Sequence, residues 1–180
     1  NSGVITLTNS GLISNTAAQG GGLYNNGGTI TVANVVLATN AAATGGGFYQ
    51  NSGLANLLHL TAYANTATGN GGGVFQSAGS ITIRSSIFQS NSGASGPAVF
   101  ISGTPNNIDY NYYHDHASNP VVGAGLGANS VNSNLIPPGM IDPANDDYHL
   151  ADTAAAIDIA DPNSPIFYDF DQDPRPSNQG

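Results

Sequence analysis

Gly20-Gly21-Gly22-Leu23-Tyr24 returns as Gly45-Gly46-Gly47-Phe48-Tyr49 and Gly71-Gly72-Gly73-Val74-Phe75, and in degraded form as Gly96-Pro97-Ala98-Val99-Phe100; successive copies start 25, 26 and 25 residues apart. A period this regular marks one supersecondary unit repeated and stacked. The rest of each unit repeats in type. A polar turn follows the apolar pair (Asn25-Asn26-Gly27-Gly28, Gln50-Asn51-Ser52-Gly53, Gln76-Ser77-Ala78-Gly79), and Asn25 is expected at the surface of its turn. Next comes an alternating run such as Thr29-Ile30-Thr31-Val32 or Ser80-Ile81-Thr82-Ile83, the pattern of a strand with one buried face. A second short apolar run and a polar corner close the unit.

Aligning the units puts like on like. Leu23, Phe48, Val74 and Val99 fall in one column, Val32, Leu57, Ile83 and Ile108 in a second, and Leu37, Ala62, Phe88 and Tyr113 in a third. Leu7 and Leu12 belong to a leading, incomplete copy. A unit of about 25 residues is too short for a propeller blade and has no helical spacing, so three short strands per turn of a coil fit. The expected fold is all-β: a right-handed parallel β-helix over residues 1–116, with an irregular, loop-rich region over 117–180 capping the last coil. Four to five coils, each adding roughly 4.8 Å, make a stub roughly 20 to 25 Å tall.

One column is polar: Asn15, Asn40, Asn65 and Asn91 recur at intervals of 25, 25 and 26. Stacked amides hydrogen-bond along the stacking direction and satisfy groups that burial would otherwise strand, which makes these residues a structural ladder at a corner. Tyr24, Tyr49, Phe75 and Phe100 form a second column directly after the inward apolar one. Strand alternation points these rings outward at about 5 Å spacing, an aromatic face for a sugar or a protein partner unless loops of the same chain cover it.

Composition narrows the function. The chain has 180 residues and no cysteine, lysine or glutamate; its bases are Arg84 and Arg175, and all eleven acids are aspartates at position 109 or later. Disulfides and thiolate chemistry are excluded. A nearly uncharged repeat region and a net charge of −9 argue against nucleic acid, and no run of 18 apolar residues encodes a membrane span. A start at Asn1, without methionine or a signal-like tract, suggests a piece of something longer. The strand around Val4-Ile5-Thr6-Leu7-Thr8 lacks a polar cap, so another segment or another copy of the chain is expected on that edge.

The glycine-rich repeats with their recurring asparagine resemble the parallel β-helix repeats of polymorphic outer-membrane-type and pectate-lyase-like surface proteins. The stretches Ile141-Asp142-Pro143, Asp147-Tyr148-His149-Leu150, Ala156-Ile157-Asp158 and Asp169-Phe170-Asp171-Gln172-Asp173-Pro174-Arg175-Pro176 are similar to the C-terminal module of bacterial choice-of-anchor β-helix proteins. Thr153-Ala154-Ala155 stands where that family usually has Gly-Ser-Pro, and the chain stops at Gly180, before the family's final strand and anchor. The resemblance implies a secreted or cell-surface bacterial protein.

Three constellations are candidates for chemistry. Asp169, Asp171 and Asp173 alternate as in a calcium loop, with Ca²⁺ the ion this oxygen-rich spacing would take. The competing reading is an acidic turn in which Asp171 or Asp173 pairs with Arg175. His114-Asp115-His116 would set two imidazoles on one face of an extended strand, against a polar replacement in the asparagine column. Asp109 and Asp115, one coil beyond Arg84, would be the acids and base of a lyase-like site, against which one arginine is little for a polyanionic substrate. The expected function is therefore a non-catalytic structural or adhesive β-helix that self-associates, with a polysaccharide-binding or pectate-lyase-like polysaccharide-cleaving module as the alternative.

Overall fold

The computed structural model describes residues 3–175. Each of the first coils lays down a long bent strand and a short one: β1 (Val4–Ile13), β2 (Thr16–Gln19), β3 (Leu23–Ala38), β4 (Ala41–Thr44), β5 (Phe48–Tyr63) and β6 (Thr66–Ala67). Later coils break the long strand at its corners into β7 (Val74–Gln76), β8 (Ser80–Arg84), β9 (Ile87–Gln89), β10 (Val99–Ile101), β11 (Thr104–Asp109) and β12 (Tyr112–His114). Then come β13 (Val121–Val122), β14 (Val131–Asn132) and a hairpin of β15 (Met140–Asp142) and β16 (Asp147–Leu150). All pairing within the coils is parallel, between one turn and the next. The chain is a β-solenoid of about five turns.

The register follows the repeat. Leu23 pairs with Phe48, Phe48 with Val74, Val74 with Val99 and Val99 with Val121. The columns through Val32 and Leu37 run likewise, and both begin in the first coil, at Leu7 and Leu12. Inward residues of these columns, among them Phe48, Leu57, Ile83, Phe88 and Tyr113, are fully buried in one continuous core. Burial of this apolar area supplies the main stabilisation, at about 25 cal/mol per Å².

Corners are made by single residues in the left-handed region. Asn9, Asn34, His59, Ser85 and Tyr110 occupy one such column with φ between 48° and 57°, and Ser14, Thr39, Ala64, Ser90 and Asp115 a second with φ between 50° and 58°. Glycines make two further corners, one in the triple glycines at Gly20, Gly45 and Gly71 and one in the polar turn at Gly27, Gly53 and Gly79. Gly45 sits at φ +64, and a Cβ on Gly46 would lie 2.5 Å from the carbonyl oxygens of both Gly72 and Thr66. The glycines are thus required twice, for the bend and for the close approach of neighbouring coils.

Two features depart from the expected plan. A fourth short strand, absent from the three-strand expectation, forms a parallel sheet from β2, β4 and β6, where Ala17, Ala42 and Ala67 stack in register. Solenoid pairing also passes residue 116: the repeat shortens to 22 residues between Val99 and Val121 and to 19 between Tyr112 and Val131. Ala124 and Leu126, in the loop between those last strands, pack half-buried onto the core at that end.

Residues 140–175 do more than cap the last coil. They run back along the flank of the solenoid, where the outward polar groups of the first corner column offer hydrogen bonds. Asp161 pairs with Arg84 at 2.9 Å, and its backbone N–H donates to Ser85 Oγ of that corner at 2.9 Å. Ser164 Oγ meets His59 Nε2 at 2.7 Å. Asn34 Nδ2 donates to the carbonyls of Tyr168 and Asp169 at 2.8 and 3.1 Å.

Candidate functional site

From Asn15 to Asn91 the asparagine column is an unbroken hydrogen-bonded ladder. Asn15, Asn40 and Asn65 each donate both backbone N–H and Nδ2 to the Oδ1 of the next asparagine, at 2.9 to 3.1 Å. Asn40, Asn65 and Asn91 also send Nδ2 back to a carbonyl of the preceding coil, at Leu12, Leu37 and Ala62. Asn40 and Asn65 are fully buried. In the following turn His116 stands at the asparagine position, and Asn134 lies one turn further, its Oδ1 accepting from the N–H groups of Asp115 and His116.

Other rungs escaped the sequence reading. Ser86 Oγ accepts from the Leu60 N–H, Asn111 Oδ1 from the Ser86 N–H and Ser130 Oγ from the Asn111 N–H, all at 3.0 to 3.1 Å. Asn25, Gln50 and Gln76 form a third set. Asn25 is buried, not a surface residue as expected, because its Nδ2 turns in to the Gly28 carbonyl and Gly28 N–H donates to its Oδ1, both at 3.2 Å. Gln50 and Gln76 bridge from their own turn to the next coil in the same way. The signal for all of these was a polar residue at the 25-residue period beside apolar neighbours.

Tyr24, Tyr49, Phe75 and Phe100 stack face to face, with centroids 5.2, 5.1 and 5.3 Å apart. Each ring is shelved on the next, so Tyr49 is only 6 % exposed and Tyr24, at the open end, 41 %. The open aromatic face expected from alternation is thus reduced to ring edges and one terminal ring.

The aspartates of the expected calcium loop do not converge. Asp169 Oδ1 accepts from the N–H groups of Asp171 and Asp173, Asp171 Oδ2 meets His149 Nε2, and among the described residues no group of three or more His, Cys, Asp or Glu is arranged to hold a metal. Arg175, the partner considered for these acids, reaches Asn34 Oδ1 at 3.0 Å and the Tyr168 carbonyl at 3.2 Å. His149 lies between Asp147 and Asp171, and hydrogen bonds to both raise its pKa.

The two imidazoles of His114 and His116 are turned apart, because Asp115 between them is left-handed at φ 56 and breaks the alternation. His114 Nδ1 faces the Ser133 carbonyl and His116 Nδ1 the His114 carbonyl, both at 2.6 Å. Burial lowers the His116 pKa to about 4, so the ring is neutral at pH 7 and Nδ1 carries the proton.

Arg84, Asp109 and Asp115 do not form a site either. Arg84 is held by Asp161 and lies 5.0 Å over the Tyr110 ring. Asp109 is paired beside it in register, but its oxygens accept from Asn129 and the Tyr110 N–H. Burial alone would raise its pKa; those hydrogen bonds outweigh it and hold the carboxyl below its usual value. Asp115 is on another corner, bonded to Ser90 Oγ at 2.7 Å.

What the fold does build is a cleft of about 410 Å³ between the solenoid flank and the returning chain. Its floor is the outward column Gly11, Val36, Thr61, Ile87 and Tyr112, paired rung to rung. Its far wall includes Leu150, Ile159 and Phe170. His59 forms part of the rim; burial, with Arg175 adding repulsion, lowers its pKa to about 3. No protein-family model, curated protein or solved structure matches the chain. Fold and geometry define its class, a parallel β-solenoid.

Proposed function

We propose that this chain is a non-catalytic structural or adhesive β-solenoid of a bacterial secreted or cell-surface assembly, and that it associates with a second copy of itself through its first coil. The observation that carries the reading is the inequality of the two ends. Leu7, Leu12 and Leu23 at the first coil and Ala124 and Leu126 at the last are all half-buried against the core, but the first strand adds two strongly exposed apolar side chains. There Val4 and Ile5 are 76 % and 56 % exposed, and β1 pairs on one side with β3. An open strand edge beside apolar side chains is a template for further pairing. The contact is isologous, first coil against first coil, and closes as a two-fold dimer.

The resemblance of the repeats to polymorphic outer-membrane-type and pectate-lyase-like surface proteins supports the location. The polysaccharide-cleaving alternative has less support, since Arg84 is engaged by Asp161 and Asp109 by Asn129. Sedimentation velocity tests the reading. Two chains of 18.1 kDa give 36.2 kDa, and the dimer is expected to protect the Val4–Ile13 amides from hydrogen exchange and to dissociate in Leu7→Asp. A monodisperse single-chain species with freely exchanging β1 amides overturns it, and release of unsaturated products from pectate would overturn the non-catalytic part.

A further inference from the structure

The outward column on the cleft floor breaks the usual rule for a half-solvated strand face. Solvent-facing positions of such a strand are normally polar, yet Val36, Ile87 and Tyr112 are three of the five floor residues and only Thr61 carries a free-standing hydroxyl. The returning chain covers this face without filling it. A volume of about 410 Å³ far exceeds the roughly 30 Å³ of one water molecule and falls in the range of small-molecule sites, about 300 to 1,000 Å³.

The polar groups around the cleft are largely committed to one another. Tyr112 Oη donates to the Ile136 carbonyl at 2.9 Å and Tyr148 Oη to Asp146 at 2.8 Å. His59 is occupied by Ser164, His149 by Asp147 and Asp171, and Arg175 by Asn34. A guest that needed many hydrogen bonds, such as a sugar, would find few partners here, whereas an apolar body would meet Val36, Ile87, Leu150 and Phe170. Charge decides the rest. Asp146, Asp169 and Asp171 line the cleft beside His59, His149 and Arg175, all of them hydrogen-bonded within the chain, and the chain as a whole carries −9. An anion is disfavoured at such a mouth and a cation is drawn to it.

We propose that the cleft between the solenoid flank and residues 146–175 binds a small hydrophobic cation, an amine on an apolar body. The cleft touches the first coil through Gly11 and Ile13, but its occupancy does not rest on the association proposed for that coil. Its probe is n-decylamine, compared with decanol and decanoate of the same chain length, added to the full 180-residue chain at pH 7 and followed by amide chemical shifts and calorimetry. The amine is expected to shift the amides around Thr61, Ile87 and Leu150 and to bind about tenfold or more tighter than decanoate, with decanol between them. Thr61→Trp fills the cleft from its floor and is expected to abolish binding; Val36→Trp does the same one rung away, in case the first variant fails to fold. Asp146→Asn is expected to weaken the amine while leaving decanol unchanged. Equal affinity for decanoate, shifts confined to another surface, or undiminished binding in a folded Trp variant each overturns the proposal.

Discussion

Asn65 shows why one polar residue per coil survives in an apolar core. It is fully buried, yet its amide gives up two hydrogen bonds and its Oδ1 takes two, from the N–H and Nδ2 of Asn40. Its own backbone N–H is served by Asn91. Truncation leaves the Asn40 donors facing a void, and an unpaired buried donor costs about 1 to 3 kcal/mol. Asn65→Ala should therefore lose about that amount in denaturant unfolding, whereas Gln19→Ala, on an exposed strand, should stay within about 0.5 kcal/mol. Asn25→Ala should fall nearer to Asn65→Ala than to the surface control, because its amide closes a turn from inside. Equal midpoints for all three would mean that the ladder carries no stability.

At the scale of the element, the coil is decided by its corners. Two corner columns are built from ordinary residues in the left-handed region, a conformation that costs of order 1 kcal/mol or more for a residue with a Cβ, and each has ladder hydrogen bonds beside it. The other two use glycine at positive φ. At Gly46 the Cβ position is pressed between the Gly72 and Thr66 carbonyls, both at 2.5 Å. Backbone cannot rotate away, so Gly46→Ala should unfold or separate the adjoining coils. Gly11→Ala is the matched control, with a nearest contact of 3.5 Å to the Ile13 side chain. Circular dichroism melts of the two variants decide this; a Gly46→Ala protein as stable as Gly11→Ala would show that the coils can spread without penalty.

At the scale of the whole molecule, the flank-packed segment makes stability depend on pH. The pKa of His59, at its junction with the solenoid, is lowered to about 3, and that of His116 in the last turns to about 4, both chiefly by burial. Each folded value lies below 6.5, so between these limits the unfolded chain binds more protons than the folded one, and stability falls as pH falls. His149 has the opposite sign: its pKa is raised, so its contribution is present below 6.5 and fades as pH climbs past the folded value. It is exposed, and the buried pair dominates. The melting temperature should thus drop steadily from pH 7 to pH 4, and His59→Gln, which keeps a partner for Ser164, should flatten that slope. A melting temperature independent of pH over this range, or the same slope in the variant, would refute the assignment.

The coil was legible in the sequence because a stacked solenoid forces equivalent positions into equivalent environments. Leu23, Phe48, Val74 and Val99 needed only their period to be placed above one another, and the asparagine ladder followed from the same arithmetic. The period did not carry what happens across coils or outside them. Tyr49 is an outward residue by alternation, but stacking between Tyr24 and Phe75 buries it. His114 and His116 share a face on a straight strand, but left-handed Asp115 separates them. Asp169, Asp171 and Asp173 have the spacing of a cation loop, but tertiary folding brings His149 to Asp171 and turns Asp169 onto its own backbone. The cleft could not be read at all. Its two walls lie more than 80 residues apart in sequence, at Thr61 and Leu150, and the return of residues 140–175 along the flank depends on contacts such as Asp161 with Arg84. Period and alternation encode what is local and repeated; a contact between the repeat and an aperiodic segment is set by three-dimensional packing alone.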